Sequence, residues 1–252
     1  MVSYGRTRVI ICQDSADLGK VSAADVAEKL RELLAVKPLV RVVFAAGESQ
    51  SSFLDALSIA PGLDWQRVEC FNIDDFWDRR MPREYTCGAQ TTRQLYDKVC
   101  PYRVELVRYN APEAETEAKR FEKLLRERSL DIVCQGIGTS GHLALNEPED
   151  TDFNDPAWVR VTDVVEQSKR QLKEDPNFKS LGYIPEKGIT MTIPAILSAS
   201  HIFTMVPLRL KREILTRLAE ELEPTVSLPA SILRAKGSLL YVDRDSCPRC
   251  WV

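Results

Sequence analysis

The sequence predicts a single-domain α/β protein in which a mostly parallel, Rossmann-like sheet carries helices on both faces. The first observation behind this prediction is an alternation along the chain. Short apolar runs typical of buried strands are followed by longer segments with apolar residues at helical spacing, which is the pattern of a parallel sheet covered by helices. The second observation is continuity, because no internal repeat, low-complexity tract or linker divides the 252 residues. One domain over residues 1–252 is therefore expected.

The first half of the chain predicts four strands and four helices. Val26, Leu30 and Leu34 recur at the spacing that puts them on one helical face, and Ser22 is a suitable N-cap for that helix. The remaining elements follow from the same two patterns. Strands are predicted at residues 8–12, 40–45, 68–73 and 104–109, and helices at residues 22–34, 51–59, 91–99 and 112–128.

The second half continues the alternation, interrupted by an acidic and irregular segment at residues 149–156. The apolar run at residues 228–233 is expected to close the sheet together with a last strand at residues 239–243. His201 lies within an apolar run and is interpreted as a core histidine. The other strands are predicted at residues 131–135, 189–193 and 201–207, and helices at residues 163–173, from Pro194 onwards and at residues 210–222.

Composition excludes several classes of protein. The chain is 44% apolar and 28% charged, an ordinary globular balance, and its net charge of −3 argues against non-specific nucleic-acid binding. No apolar run approaches the length of a membrane span, and the apolar run near the start is too short for a signal peptide, so a cytoplasmic protein is expected. The pair Cys247 and Cys250 has no second pair to complete a zinc site, so no metal is expected.

One glycine-rich stretch at residues 136–148 stands out after a predicted strand and reads Gly-Ile-Gly-Thr-Ser-Gly-His-Leu-Ala-Leu-Asn-Glu-Pro. Its three early glycines allow a tight turn and a close approach of a ligand to the backbone. It then presents His142, one of two histidines in the chain, and Glu147. A histidine on such a loop can act as a general acid or base near neutral pH. From the pattern alone, a structural turn with a solvated histidine remains an equal alternative.

Two other predicted strand ends carry polar residues where ligands of open α/β sheets bind. Gly47 and Ser49 lie between a strand and a helix, an arrangement whose backbone N–H groups can bind phosphate, although most such loops are only turns. Asp74 and Asp75 end the next strand. Two adjacent acids at this place are more often a helix cap or a solvated turn than catalytic groups. They would face opposite ways on an extended backbone.

The stretch Gly-His-Leu-Ala-Leu-Asn-Glu-Pro at residues 141–148 resembles the signature of the glucosamine-6-phosphate deaminase/isomerase family, which is related to the 6-phosphogluconolactonases. The ending Asn146-Glu147-Pro148 favours the deaminase branch, and weaker similarity extends from about residue 40 to about residue 243. One position departs from the pattern, because the family usually has an aspartate where this chain has Ser140. A serine can hydrogen-bond the neighbouring imidazole but contributes no charge.

The resemblance implies a role for each candidate residue. Asp74 corresponds to the proton-transferring aspartate, and His142, oriented by Glu147 beside Ser140, corresponds to the group that opens the sugar ring. Residues 149–180 correspond approximately to a mobile lid. The family's phosphate site falls on the loop after the second strand, on an arginine of the lid and on a lysine that opens a later helix: Gly47, Glu48, Ser49, Arg170 and Lys211. Glu48 replaces a small residue, and a carboxylate beside a phosphate is unfavourable unless it points away.

The function that the resemblance implies is conversion of glucosamine 6-phosphate to fructose 6-phosphate and ammonia, without a cofactor or a metal. The expected partner is a small hexosamine phosphate, with no nucleic acid and no membrane, and the sequence leaves a homo-oligomer open. Two alternative substrates also remain, galactosamine 6-phosphate and 6-phosphogluconolactone. An alternative of another class is a weakly active sugar-phosphate-binding protein, which the departures at Ser140 and Glu48 suggest.

Overall fold

The computed structural model describes residues 2–174 and 176–251, and only these are discussed below. The strands are β1 (Val2–Tyr4), β2 (Thr7–Cys12), β3 (Val40–Phe44), β4 (Val68–Asn72), β5 (Asp74–Trp77), β6 (Arg103–Glu105), β7 (Ile132–Gln135), β8 (Val159–Asp163), β9 (Lys187–Met191), β10 (His201–Val206) and β11 (Leu239–Asp243). The α-helices are α1 (Ser15–Val36), α2 (Glu48–Ser58), α3 (Cys87–Thr91), α4 (Asp97–Val99), α5 (Ala114–Arg126), α6 (Glu166–Glu174), α7 (Pro176–Lys179), α8 (Ile193–Leu197) and α9 (Arg212–Glu220). A π-helix, Thr92–Tyr96, joins α3 to α4, and 3-10 turns lie at Trp65–Arg67, Arg83–Tyr85, Arg209–Lys211, Pro229–Arg234 and Arg249–Trp251.

Eight strands form the main sheet in the order β1-β2-β11-β10-β7-β3-β4-β6. All neighbours are parallel except β1 and β2, so the predicted mostly parallel α/β architecture is confirmed. From β3 the chain proceeds outward through β4 to β6 and then returns to place β7 on the other side of β3. The strand order therefore reverses between β3 and β7, and a reversal of this kind opens a crevice at the carboxyl ends of the strands.

Alternate residues of the strands build two separate cores. On β3, Val43 packs into a core that includes residues of α5, α8 and α9, whereas Val42 and Phe44 pack into a core with α1 and α2. The same division occurs on β7, where Val133 belongs to the first core and Cys134 to the second. Because successive strand residues point to opposite faces, both faces of the sheet are covered by helices, as predicted.

A second sheet of three antiparallel strands, in the order β5-β9-β8, was not predicted. Only Ile73 separates β4 from β5, so two strands that belong to different sheets follow one another almost without a break. The backbone N–H of Ile73 donates to Phe44 of the main sheet at 2.9 Å, and its carbonyl accepts from Met191 of the small sheet at 2.9 Å. The small sheet therefore lies beside the carboxyl end of the main sheet, where the crevice opens.

Several predicted elements differ from the structure, including the strand predicted at residues 104–109, which is β6 (Arg103–Glu105), and for three others the physical reason is identifiable. Helix α1 begins at Ser15 with Asp14 as its N-cap, while Ser22 is buried inside it. Gly19 lies within this helix and permits close packing, because a Cβ there would lie 2.5 Å from the backbone of Ser52 on α2. The run at residues 228–233 does not form a strand, because most of it belongs to the 3-10 turn Pro229–Arg234, and Pro229 cannot donate to a strand ladder.

The helix predicted at residues 163–173 begins later, at Glu166, because Asp163 ends strand β8. The proposed lid segment, residues 149–180, thus contains a strand of the small sheet as well as α6 and α7, and its residue 175 lies outside the described residues. In the described part of the chain, no helix is both long enough and apolar enough to cross a membrane.

A buried ionic cluster lies at the amino-terminal edge of the main sheet. The Nε of Arg41 donates to Glu69 Oε2 at 2.7 Å, and its guanidinium also donates to carbonyls at the end of α5, including that of Leu125 at 2.9 Å. Arg41 is 2% exposed and Glu69 is 3% exposed. The buried carboxylate of Glu69 needs a charged partner, which holds the guanidinium of Arg41 in place. Because the same guanidinium donates to carbonyls of α5, it fixes the position of that helix against the sheet.

We expect Arg41→Met to lower the free energy of unfolding by about 3 kcal/mol, because it leaves a buried charge with only partial compensation. Urea denaturation measures the loss. Lys29→Ala is the control, since its ion pair with Glu32 is solvent-exposed and should contribute less than about 1 kcal/mol. Equal losses in the two variants would contradict the prediction.

Candidate active site

A cavity of about 250 Å³ opens at the carboxyl ends of β3, β4, β7 and β10. It therefore lies at the reversal of strand order and is bounded on one side by the small sheet and α6. Most of the residues that the sequence singled out line this cavity, namely Gly47, Glu48, Ser49, Asp74, His142 and Lys211. Ser140 and Glu147 lie behind His142, where they contact its ring.

Ser140 and Glu147 hold the imidazole of His142 from one side. The ring atom Nδ1 lies 2.8 Å from Glu147 Oε1 and 2.8 Å from Ser140 Oγ. The Ser140 hydroxyl donates its own proton to Glu147 Oε2 at 2.6 Å, so its oxygen is available as an acceptor. Both neighbours of Nδ1 can thus accept a hydrogen bond, which favours the proton on Nδ1 and leaves Nε2 free to act as a base.

Glu147 is a buried carboxylate satisfied by three side chains. Besides His142 and Ser140, the Ser168 hydroxyl of α6 donates to Oε1. Burial by itself would raise the pKa of Glu147, but the hydrogen bond and charge of His142, with the hydrogen bonds from Ser140 and Ser168, lower that pKa to about 2. The group is therefore ionised throughout the neutral range and can stabilise a charged imidazole.

The local backbone explains why the loop is rich in glycine. A Cβ on Gly138 would lie 2.0 Å from His142 Nε2, so the imidazole can occupy its place only over a glycine. Gly141 has φ +90°, a conformation that side chains disfavour, and its N–H donates to the carbonyl of Gly138 at 3.0 Å. Beyond them, the buried amide of Asn146 donates to the carbonyls of Leu143 and Met191, both at 2.8 Å, which joins the loop to the small sheet.

The two acids after β4 have different surroundings. Asp75 is buried, and its carboxylate accepts the backbone N–H groups of Phe76, Cys87 and Gly88 at 2.8–2.9 Å, so it fixes the start of α3. Asp74 is half-buried and lines the cavity. Burial, and secondly the charge of Asp75, raise the pKa of Asp74 to about 7. A carboxyl group with this pKa can accept and return a proton near neutral pH.

The loop after β3 forms the start of α2. Gly47 has φ +105° and precedes the first helical residue, Glu48, whose side chain is exposed at the edge of the cavity. The N–H of Gly47 donates to the side-chain oxygen of Gln90 at 3.1 Å, and the Ser49 hydroxyl accepts from the Gln50 amide at 3.1 Å. These groups form a polar end of the cavity at a helix N-terminus, where anions are stabilised.

Lys211 is 8% exposed and lines the same cavity. Burial lowers its pKa to about 8. Among the described residues, no ion pair involves its ammonium group, and burial alone accounts for its lowered pKa, so a buried cation is available for an anionic ligand. The preceding turn is held by Asp243, whose carboxylate accepts the N–H of Leu208 at 3.0 Å while Leu208 adopts φ +82°.

The structure does not bring every predicted residue to the cavity. Arg170 is exposed on α6 and is not among the cavity-lining residues, so its assignment to phosphate stays a prediction. Sequence reasoning missed Gln90 and Arg93, which line the cavity, and Ser168, which contacts Glu147. No local pattern marks these three residues, because each is an ordinary polar position on a helix.

These features define a class of protein: an α/β protein whose crevice combines a polar helix start, a buried lysine, a carboxyl group with a raised pKa and a histidine supported by a carboxylate. A family model described as glucosamine-6-phosphate isomerases/6-phosphogluconolactonase matches residues 13–241. The chain belongs to this family, and the resemblance inferred from residues 141–148 is confirmed.

Individual relatives agree with this assignment. A glucosamine-6-phosphate deaminase of Staphylococcus epidermidis is 27% identical over 93% of this chain and 97% of its own. Another from Exiguobacterium is 30% identical over 75% of this chain and 72% of its own. Among solved structures, a monomeric glucosamine-6-phosphate deaminase superposes with a TM-score of 0.82 at 24% identity, covering 95% and 98% of the two chains. A 6-phosphogluconolactonase of Thermotoga maritima gives 0.75 at 18% identity, covering 94% and 99%. These two structures share the fold.

The burial of Asp74 predicts how the free energy of unfolding depends on pH. Because its pKa is raised from 3.8 to about 7, the folded protein loses stability as pH rises through this interval, while the unfolded chain gains a solvated carboxylate. Asp74→Asn removes this cost. We expect the variant to match the wild type near pH 4 and to be more stable by on the order of 4 kcal/mol at pH 8, because each pKa unit corresponds to about 1.4 kcal/mol.

Urea denaturation at several pH values measures the difference. Asp245→Asn is the control, because this acid is exposed and its replacement relieves no desolvation. An advantage of Asp74→Asn that is the same at pH 4 and pH 8 would contradict the expected burial effect.

Proposed function

We propose that this protein is an amino-sugar-phosphate deaminase/isomerase that converts glucosamine 6-phosphate to fructose 6-phosphate and ammonia. The observation that carries the proposal is the pairing of Asp74 with His142 across one cavity. One is a carboxyl group whose pKa is raised to about 7, and the other is an imidazole supported by an ionised carboxylate. The family assignment and the similarity to named deaminases support it.

Ring opening is the first step of the proposed reaction. The ring oxygen of the pyranose must gain a proton while the hydroxyl at C1 loses one. His142 can move this proton through Nε2, because Nδ1 is already bonded to Ser140 and Glu147. The negative charge of Glu147 stabilises the imidazolium that forms in between.

Proton transfer between carbons is the second step. The carboxylate of Asp74 takes the proton from C2 and delivers it to C1. A second proton moves from the nitrogen to the C1 oxygen, so that C1 becomes an alcohol and the amine-bearing carbon becomes an imine. Water then adds to the imine, which collapses to the ketone at C2 and releases ammonia. A carboxyl group with a pKa near the working pH is suited to both halves of this transfer. C1 is reduced as C2 is oxidised within the same molecule, so these steps need no external oxidant or reductant.

The phosphate anchors the substrate at the other end of the cavity. The start of α2 at Gly47 and Ser49, together with the buried ammonium of Lys211, would bind the dianion. Binding energy at this end holds C1 and C2 in register with Asp74, far from the bonds that change. The mobility of the lid segment, the cytoplasmic location and the absence of a cofactor stay predictions.

An assay with three sugar phosphates tests the proposal against its alternatives. Ammonia release from glucosamine 6-phosphate is expected, with slower release from galactosamine 6-phosphate and little hydrolysis of 6-phosphogluconolactone. Preferential hydrolysis of the lactone would overturn the proposal in favour of the lactonase branch. Tight binding of all three without turnover would favour a sugar-phosphate-binding protein.

Asp74→Asn should lower turnover at least about a hundredfold, because the amide keeps the shape of the carboxyl group but cannot take the C2 proton. Substrate affinity should change little. Exchange of the C2 hydrogen with solvent deuterium measures the proton transfer directly, with Asp245→Asn as the control. Exchange at the wild-type rate in the Asp74 variant would remove Asp74 from this role.

Gly138→Ala tests the position of the imidazole. Because the added Cβ would lie 2.0 Å from His142 Nε2, the ring must move, and a displacement of this order can cost about a hundredfold in turnover. Gly237→Ala is the matched control, since the nearest atom to its Cβ is 3.9 Å away. Steady-state kinetics, with circular dichroism to confirm folding, decide the outcome. Unchanged turnover in Gly138→Ala would show that the ring position is not critical.

A further inference from the structure

Ser168 joins the lid segment to the carboxylate behind the histidine. It lies on α6, its side chain is 8% exposed, and its hydroxyl donates to Glu147 Oε1. The same oxygen lies 2.8 Å from His142 Nδ1. One carboxylate oxygen therefore accepts from both the histidine ring and α6.

Further contacts also attach α6: Lys169 forms an ion pair with Glu186 at 2.5 Å, and an apolar side chain packs on the inner face. Leu172, one turn after Ser168, packs partly buried against a small cluster that includes Phe76 and Phe178. Both Ser168 and Leu172 line the cavity, whereas Gln167 and Arg170 of the same helix are exposed. Ser168 is thus the polar contact through which the inner face of α6 reaches Glu147.

We propose that Ser168 is a positioning residue that couples the lid segment to the His142–Glu147 pair. While its hydroxyl is bonded to Glu147, α6 is held at the cavity and the carboxylate is fixed behind the imidazole. The coupling is a property of the fold, and its catalytic consequence rests on the proposed function. Hydrogen bonds to an ionised acceptor are stronger than bonds between neutral groups, so one hydroxyl suffices for a measurable effect.

Coupling of this kind is reciprocal. If Ser168 helps to fix Glu147, then the charge of Glu147 helps to fix α6, and the two effects must be equal in free energy. Weakening either partner should loosen the helix. Weakening both should loosen it no further, because the same contact is lost.

Hydrogen–deuterium exchange of the peptide that covers residues 163–174 tests the coupling without a substrate. Ser168→Ala should raise exchange about tenfold, as expected for a lost hydrogen bond to a charged group. Glu147→Gln should do the same, and the double variant should match the single ones. Ser168→Thr keeps the hydroxyl and should exchange like the wild type, as should Gln167→Ala, an exposed position on the same helix. Unchanged exchange in Ser168→Ala, or equal loosening in Gln167→Ala, would overturn the coupling.

Steady-state kinetics test the positioning role. In Ser168→Ala, kcat should fall about tenfold while KM changes less than about twofold, and Ser168→Thr should recover most of kcat. A merely structural loss would lower the amount of folded enzyme and would not be restored by threonine. Normal kcat in a variant with a loosened helix would overturn the positioning role. A wild type that turns over no hexosamine phosphate would refute the proposed function, and the exchange experiment would still decide the coupling.

Discussion

The arrangement of the site depends on one buried charge, the carboxylate of Glu147. A carboxylate removed from water must be satisfied by donors, and here it receives three, from His142, Ser140 and Ser168. These donors come from the glycine-rich loop and from α6, so the requirement to satisfy one carboxylate fixes the loop, the ring and the lid segment relative to each other. The same three donors stabilise the ionised form of Glu147, and its pKa is lowered for that reason.

The sheet supplies the second constraint, because it brings distant residues to one edge. The loops after β3 and β7 are neighbours only because the strand order reverses between them. The small sheet then extends from β4 through β5, which places Asp74 at the cavity and turns Asp75 toward the start of α3. The two adjacent acids thereby acquire different surroundings. Asp74 lies in a partly dry cavity with no backbone donor among the described residues, whereas Asp75 accepts three backbone N–H groups.

Much of this could be predicted from the sequence, since local patterns dictate it. The alternation of strands and helices predicted the main sheet, and the stretch at residues 141–148 identified the family. Contacts between distant segments could not be predicted. Gly19 permits α1 to approach α2, and Ile73 lies between strands of two different sheets, but no local pattern in the sequence indicates either contact. Ser168 is an ordinary helical serine until the fold places it against a carboxylate from another loop.

The serine at residue 140 also gains a physical explanation that the sequence alone did not offer. Its oxygen lies 2.6 Å from Glu147 Oε2, and a carboxylate at this place would bring a second negative charge against a buried one. Two such acids cannot both remain ionised without further cations, so one of them would hold a proton near neutral pH. The hydroxyl avoids this conflict, because it donates to Glu147 and accepts from His142 with the same oxygen. The departure at residue 140 is therefore consistent with a single buried charge that is fully satisfied, and with an imidazole that keeps Nε2 directed away from its two supports.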